Sequence, residues 1–336
     1  MAGDEGAGER RPIVAGLYLI SVIPQREVGA AVSEVHGGVA LLPRGRWLLA
    51  VSGGRDSMVL LDAMASARSG EVAAVATFDH GTGAAARRAC ALVEREAETR
   101  ALPVVTGRAP AGTASREADW RAARLGFLDQ WARALDAVVV TGHTRDDQIE
   151  TVVQRLLRDA GPRGLAGMHA RGARPLLPVS RESVASYARA RRVAFVEDPS
   201  NRSLTHQRNR VRLELLPALE RVQPGFGDWC WDLSRRAAAW RAEADRVVDA
   251  LGATLASADT LVVPVVALGA LGAAEWRVLW PALAARVGVV MDRRGIERAA
   301  AWAPSARRGG SIQLSGGGRI ECTGRTFVVR GNDAAP

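Results

Sequence analysis

The stretch that most constrains this chain is Trp47-Leu48-Leu49-Ala50-Val51-Ser52-Gly53-Gly54-Arg55-Asp56-Ser57-Met58-Val59-Leu60-Leu61. An apolar run of strand length stops at Ser52. Glycines and short polar residues follow, and apolar residues then resume at helical spacing. The pattern is a strand, a tight turn and a helix N-terminus. Glycine lets a backbone approach a ligand closely. The first N–H groups of a helix have no internal partner, and its dipole favours an anion there. The turn therefore reads as a phosphate or pyrophosphate cradle. A plain strand-to-helix turn with Asp56 or Ser57 as N-cap fits Ser-Gly-Gly equally well.

The neighbouring chain supplies the rest of a sheet. Arg46–Val51, Val72–Phe78, Leu102–Thr106 and Ala137–Thr141 read as strands. Between and around them, helices are expected over 27–41, 57–68, 84–100, 115–135 and 145–157. Apolar strands alternating with helices predict an α/β fold, a parallel doubly wound sheet covered on both faces. Ligands in such sheets sit at the carboxyl ends of the strands. Ser52, Asp79-His80 and His143 all fall there.

A second string, Gly142-His143-Thr144-Arg145-Asp146-Asp147-Gln148-Ile149-Glu150-Thr151, follows the last of these strands. A helix starting near Thr144 puts His143, Asp147, Glu150 and Thr151 on one face. Asp146 in the first turn is explained by the helix dipole alone. His143 and Asp147 also have the spacing of a metal pair. Downstream, Gly161–Met168 reads as a flexible surface loop and Arg174–Pro178 as a short edge segment. Helix 183–192 and a strand over 193–196 follow. Asn209–Pro217 reads as a basic amphipathic helix closed by its proline. Beyond it, helices over 229–251, 271–287 and 292–301 and a small hairpin within 311–330 predict a second, mainly helical domain. Trp229, Trp231 and Trp240 could stack on bases or simply pack helices.

Composition excludes several chemistries. All 45 basic side chains are arginine, so the chain has no Walker-type Gly-Lys-Ser/Thr loop and no Schiff-base or AMP-carrying lysine. A net charge of +9 suggests a polyanionic partner, nucleic acid first. Cys90, Cys230 and Cys322 are isolated and form no metal framework, as expected of incidental thiols in the cytoplasm. The apolar run Ile13–Ile23 is too short to span a bilayer, and residues 1–25 read as a loose extension.

Ser52-Gly53-Gly54-Arg55-Asp56-Ser57 resembles the pyrophosphate loop of the N-type ATP pyrophosphatases, with an adenine nucleotide alpha hydrolase-like core. Four further strings follow in the same order as in the tRNA(Ile)-lysidine synthetase family. They are Gly142–Thr151, Gly164-Leu165-Ala166-Gly167-Met168, Glu197–Asn201 and Arg208–Pro217, and together with the loop they resemble that family over roughly residues 40–220. Residues 220–330 resemble its middle helical domain loosely. Two departures are Asp79-His80-Gly81-Thr82-Gly83, where the family continues with Leu-Arg, and Arg124-Leu125, where it has Arg-Tyr.

The resemblance implies a ligase. ATP adenylates the wobble cytidine of the CAU anticodon of tRNA(Ile), releasing pyrophosphate. The ε-amine of free L-lysine then displaces AMP to give lysidine, and decoding changes from AUG to AUA. Deprotonating that ammonium costs about 4–5 kcal/mol at neutral pH from a pKa near 10.4, so carboxylates are needed. On this reading Asp56, Asp147 and Glu150 are the catalytic candidates, Asp147 and Glu150 also binding lysine. Ser52, Gly53, Gly54, Arg55, Asp56, Ser57, Arg124 and His143 would hold ATP, with Asp56 a candidate for Mg²⁺. Arg208, Arg210 and Arg212 would contact the tRNA backbone. The expected partners are ATP, L-lysine and tRNA(Ile), in the cytoplasm and without a membrane; an oligomer is compatible. The domains expected are 26–217 for ATP and catalysis and 218–336 for tRNA. Alternatives are a tRNA thiolase on the same core, which would need a cysteine pair, a catalytically silent tRNA-binding protein, and an amidotransferase-type synthetase.

Overall fold

The computed structural model describes residues 25–81, 83–109, 117–170, 172–197, 203–265, 271–314 and 317–331. The Ile13–Ile23 run, Arg116 and Asp198-Pro199-Ser200-Asn201 lie outside the described residues. The first unit is built from helix α1 (Gln25–Ala40), strand β1 (Trp47–Ala50), helix α2 (Arg55–Arg68), strand β2 (Val72–Asp79) and helix α3 (Ala84–Thr99). Strand β3 (Val104–Arg108), helix α4 (Glu117–Ala134), strand β4 (Val138–Thr141) and helix α5 (Arg145–Leu156) continue it.

The four strands form a parallel sheet in the order β3-β2-β1-β4. Strand alternation sends Leu49, Val75 and Val140 to one face, where α1, α2 and α3 cover them. Leu48, Ala74 and Ala76 face Leu128 and Trp131 of α4 on the other. Both faces are thus covered, as the apolar strands predicted. At one edge β4 is half open, with Val138 exposed, and a single parallel bridge from Val140 to Ala173 continues the sheet.

Between α5 and residue 222 the chain departs from expectation in three places. The glycine-rich segment is no loose loop: it forms helix α6 (Pro162–Leu165) and a 3₁₀ turn, Gly167–Ala170. Gln148, fully buried, holds it by donating to the Ala166 carbonyl at 3.1 Å and accepting from the Met168 N–H at 2.7 Å. Helix α7 (Arg181–Ala190) follows, capped by Ser180, whose side chain accepts from the Ser183 N–H. The strand expected over 193–196 does not form. The flanks of β1 are already taken by β2 and β4, so the segment docks on the turn instead, with the Val196 N–H donating to the Gly53 carbonyl at 2.9 Å.

The third departure concerns Pro217, which does not close its helix. Helix α8 (Gln207–Arg210) runs into a π turn, Val211–Leu215, and on into helix α9 (Leu216–Val222). Pro217 sits at the start of α9, where a missing N–H is tolerated, and the wider turn before it relieves the clash with the preceding carbonyls.

Beyond, helix α10 (Phe226–Ala250) leads into strands β5 (Thr254–Ser257) and β6 (Thr260–Pro264) and helices α11 (Ala273–Arg286) and α12 (Arg293–Trp302). Strands β7 (Ser311–Gln313), β8 (Arg319–Cys322) and β9 (Thr326–Arg330) end the described chain. The expected hairpin is therefore part of a five-stranded antiparallel sheet, β5-β6-β9-β8-β7. Trp276, Trp280 and Phe327 form its core. Among the described residues no helix is long and apolar enough to cross a membrane.

Candidate active site

The turn after β1 is shaped by close approach. Gly53 has φ +81°, and a Cβ there would meet the Ala89 carbonyl at 2.8 Å. Gly142, at the end of β4, lies against the start of α2: its Cβ would meet the Asp56 carbonyl oxygen at 2.7 Å. The two strand-to-helix turns are thus in backbone contact. Ser57 fastens the first, its hydroxyl donating to the Gly54 carbonyl at 2.8 Å and accepting the Ser52 N–H at 3.1 Å. The N–H groups of the first turn of α2 then face the carboxyl end of the sheet without helical partners.

A cavity of about 800 Å³ opens there, a size that suits a nucleotide. Ser52, Gly54, Arg55, Asp56, Ser57, Arg124 and His143 line it. Of the residues expected around ATP, only Gly53 is absent from the lining; it turns its carbonyl to Val196. Burial raises the Asp56 carboxyl above its ordinary pKa, against the pull of Arg55 at 3.3 Å. His143 bonds Thr141 through Nδ1 at 2.8 Å, and burial, outweighing the Asp147 charge, lowers its pKa to about 4. His143 is therefore a neutral imidazole at pH 7.

Asp147 and Glu150 stand together on α5, side chains 10% and 1% exposed. Thr144 donates to Asp147 Oδ2 through its N–H at 2.8 Å and its hydroxyl at 3.0 Å. Three arginines close on the pair. Arg181 reaches Asp147 Oδ1 and Glu150 Oε1, each at 3.0 Å. Arg208 reaches Asp147 Oδ1 and Glu150 Oε2, each at 2.8 Å. Arg212 takes both Glu150 oxygens, at 2.7 and 3.1 Å. Burial alone would raise both carboxyls, but the guanidiniums, and for Asp147 the Thr144 N–H, outweigh it and hold both below the ordinary range.

The three arginines expected on the tRNA backbone are placed differently from one another. Arg208 and Arg212 turn inward, because two buried carboxylates need counter-charges and one helical turn separates these two arginines. Only Arg210 stays exposed, donating to the Leu204 and Thr205 carbonyls at 2.9 and 3.2 Å. Sequence reasoning missed Arg181, Arg174 and Arg121 as cavity residues. Arg181 carried one legible signal, its place just after the helix-capping Ser180.

Arg181 and Arg212 also wall a second cavity of about 250 Å³, lined by Asp146, Ile149, Glu150, Leu216, Pro217, Glu220 and Gly227. The two cavities meet at the ion-pair layer. Of the tryptophans, Trp231 is covered by His169 at 4.9 Å and by Arg145 at 5.4 Å, and Trp229 is half exposed beside Phe226. The three cysteines are buried and free, each in a different packing environment, and burial lifts Cys230 to about 12. Among the described residues no group of three or more His, Cys, Asp or Glu side chains could hold a metal.

The sequence profile of the PP-loop domain family matches residues 24–219. The chain is 44% identical over 204 residues to the tRNA(Ile)-lysidine synthase of Salinispora tropica, covering 56% of this chain and 60% of that protein. It is 42% identical over 219 residues to the enzyme of the same name from Salinispora arenicola, covering 60% and 65%. For the Geobacter sulfurreducens enzyme the figures are 40% over 197 residues, 54% and 42%. The match thus spans less than two thirds of each relative. Among solved structures a U34-tRNA thiolase from Methanococcus maripaludis shares the fold, with a TM-score of 0.51 at 15% identity over 64% of this chain and 80% of that one.

Proposed function

The chain belongs to the PP-loop domain family, and from that premise we propose that it is an ATP-dependent ligase forming lysidine at the wobble cytidine of tRNA(Ile). The observation that carries the reading is the Asp147–Glu150 pair in an ion-pair layer that borders an ATP-sized cavity. Relatives named tRNA(Ile)-lysidine synthase, 40–44% identical, support it.

In the first step the cytidine O2 attacks the α-phosphorus of ATP. The new O–P bond forms as the bond to pyrophosphate breaks. The α2 N–H groups and Arg124 would take the charge of the leaving pyrophosphate. Asp56 fits Mg²⁺: its carboxylate is desolvated, only partly compensated by Arg55, and turned to the phosphate end. Magnesium is usually held by one or two carboxylates with phosphate oxygens and water, so a single aspartate suffices. The ion would supply further charge stabilisation to the phosphates.

In the second step the lysine ammonium gives up one proton to solvent, and the neutral ε-amine attacks C2. The C–N bond forms as the C2–O bond to AMP breaks, AMP leaves with the electron pair, and the second amine proton goes to solvent. Asp147 and Glu150 stay ionised beside their arginines and are not suited to taking a proton. Because three guanidiniums outnumber the two carboxylates, the negative charge that attracts an ammonium comes from Asp146 and Glu220 on the wall of the smaller cavity. The smaller cavity, with an aliphatic floor of Ile149, Leu216 and Pro217 and carboxylates at Asp146, Glu150 and Glu220, fits an aliphatic amine reaching that pair. We take residues 26–217 as the ATP-binding unit and 218–336 as the unit that steadies the tRNA.

The test is incubation with ATP, Mg²⁺, radiolabelled lysine and a tRNA(Ile) transcript bearing a CAU anticodon, against elongator methionine tRNA with the same anticodon. The expected result is incorporation into the first only, lost in Asp147→Ala. Tight binding of tRNA with no incorporation would overturn the ligase reading.

A further inference from the structure

Several arginines at the two cavities are paired with carboxylates. Arg55 meets Asp56, and Arg181, Arg208 and Arg212 share Asp147 and Glu150. Arg121 and Arg124, one turn apart on α4 and both lining the large cavity, have no carboxylate within ion-pair distance among the described residues. The Arg124 Nε is buried without a hydrogen-bond partner. Burial first, then the charge of Arg121, lowers its pKa. Like charges held together within a Debye length need an anion to balance them.

The positive groups continue out of the cavity. Arg174 lies on its wall, folded over Gly172 and donating to the Met168 carbonyl at 2.8 Å. The same turn carries His169, whose ring packs on Trp231 of α10. One turn further along α10 stands Arg235, its side chain 65% exposed and 3.9 Å from an equally open Asp232, a pair of little strength in water. His169 is depressed by burial and then by the charges of Arg235 and Arg174, so both guanidiniums stand near its ring.

We propose that Arg121, Arg174 and Arg235 form a phosphate track that leads a single-stranded RNA backbone from α10 into the cavity. The inference rests on the ligase reading for the identity of the RNA. It moves the backbone contacts from the inward-turned Arg208 and Arg212 to arginines that face the cavity and its approach. Phosphate could also come from ATP, but Arg235 does not line the cavity and cannot serve a nucleotide bound there. Arg124, the most enclosed of the group, is left to the triphosphate. These contacts would position the strand without reading its bases.

The test measures binding of the CAU tRNA(Ile) transcript across a salt series for Arg121→Gln, Arg235→Gln and the double variant, with ATP affinity measured separately by calorimetry. Each lost phosphate contact should flatten the slope of log K against log salt by about 0.7. The double variant should bind roughly ten-fold or more weakly at low salt, and Arg235→Gln, outside the cavity, should weaken tRNA binding with ATP affinity kept. The exposed Asp232→Asn variant, which frees Arg235, should bind tighter. An unchanged salt slope in the double variant overturns the track. So does a loss of ATP affinity with tRNA binding intact, which would assign these arginines to the nucleotide. Lysine incorporation by the unaltered protein judges the ligase reading separately, because the salt slope reads the track whether or not lysine is joined.

Discussion

Two buried carboxylates and three guanidiniums leave the cluster on α5 with one excess positive charge. Removing a buried partner costs far more than the pair is worth, because the remaining charge is stranded. Glu150, 1% exposed and touched by all three arginines, is the most exacting position. Glu150→Gln should therefore destabilise the protein by about 3–5 kcal/mol, read from urea unfolding. Adding Arg212→Gln should recover part of the loss, since the two side chains are directly coupled. An additive double variant would show that Arg212 does not neutralise Glu150. The same cluster sets an acid limb. Both carboxyls are held below their ordinary values, so their stabilisation is full above the ordinary carboxylate range and lost as pH falls through the folded pKa. His143 acts in a window above it: with a folded pKa of about 4 against 6.5, stability falls as pH drops from 6.5 towards 4. Glu150→Gln should flatten the lower limb and leave the His143 window in place.

At the scale of elements, the site depends on how closely β4 passes α2. A Cβ on Gly142 would strike the Asp56 backbone, which has no flexible end to move aside. Gly142→Ala should push the first turn of α2 off its position and weaken ATP binding by about ten-fold, roughly 1.4 kcal/mol. Gly161→Ala, with nothing within 4 Å, should leave ATP titrations unchanged. Equal affinity in both variants would mean that the contact can relax. This contact was not legible in the sequence, although the two turns that make it were. The Ser52–Ser57 turn and the α5 face were readable because strand-to-helix periodicity fixes both. The inward pairing of Arg208 and Arg212 was not legible for a physical reason: a basic helix looks alike whether its arginines meet water or carboxylates from a distant segment. Strand β5 was missed because Thr254–Ser257 is exposed at all four positions and carries no alternation. Strand β6 alternates in burial, but Leu261-Val262-Val263 is apolar throughout, so the alternation does not show in the residue types. Val193–Val196 has strand composition but no free neighbour to pair with.

At the scale of the molecule, two cores are joined by one long helix. The first packs α1, α2, α3 and α7 against the parallel sheet, and the second packs α11 and α12 against the antiparallel one. Helix α10 belongs to both neighbourhoods: Cys230 near its start packs with Val152, Val153 and Val211, while Val248 near its end joins the second core. Arg145–Asp228 at 2.7 Å and Arg163–Asp245 at 2.8 Å tie its flank to the first unit, but both are partly open and of modest strength. Separate apolar cores favour unfolding as separate cooperative units. A calorimetric scan should show two transitions. Every group that would hold ATP lies in the first unit, so at about a hundred times its dissociation constant ATP with Mg²⁺ should stabilise that unit by about 2.7 kcal/mol. Its transition should rise by about 5–11 °C, taking 2–4 °C per kcal/mol for a unit of that size. The second transition should stay where it is. A single transition that moves as a whole would show that α10 couples the cores. In that case the sheet domain would sense nucleotide, and a tRNA held along α10 would feel the ATP site directly.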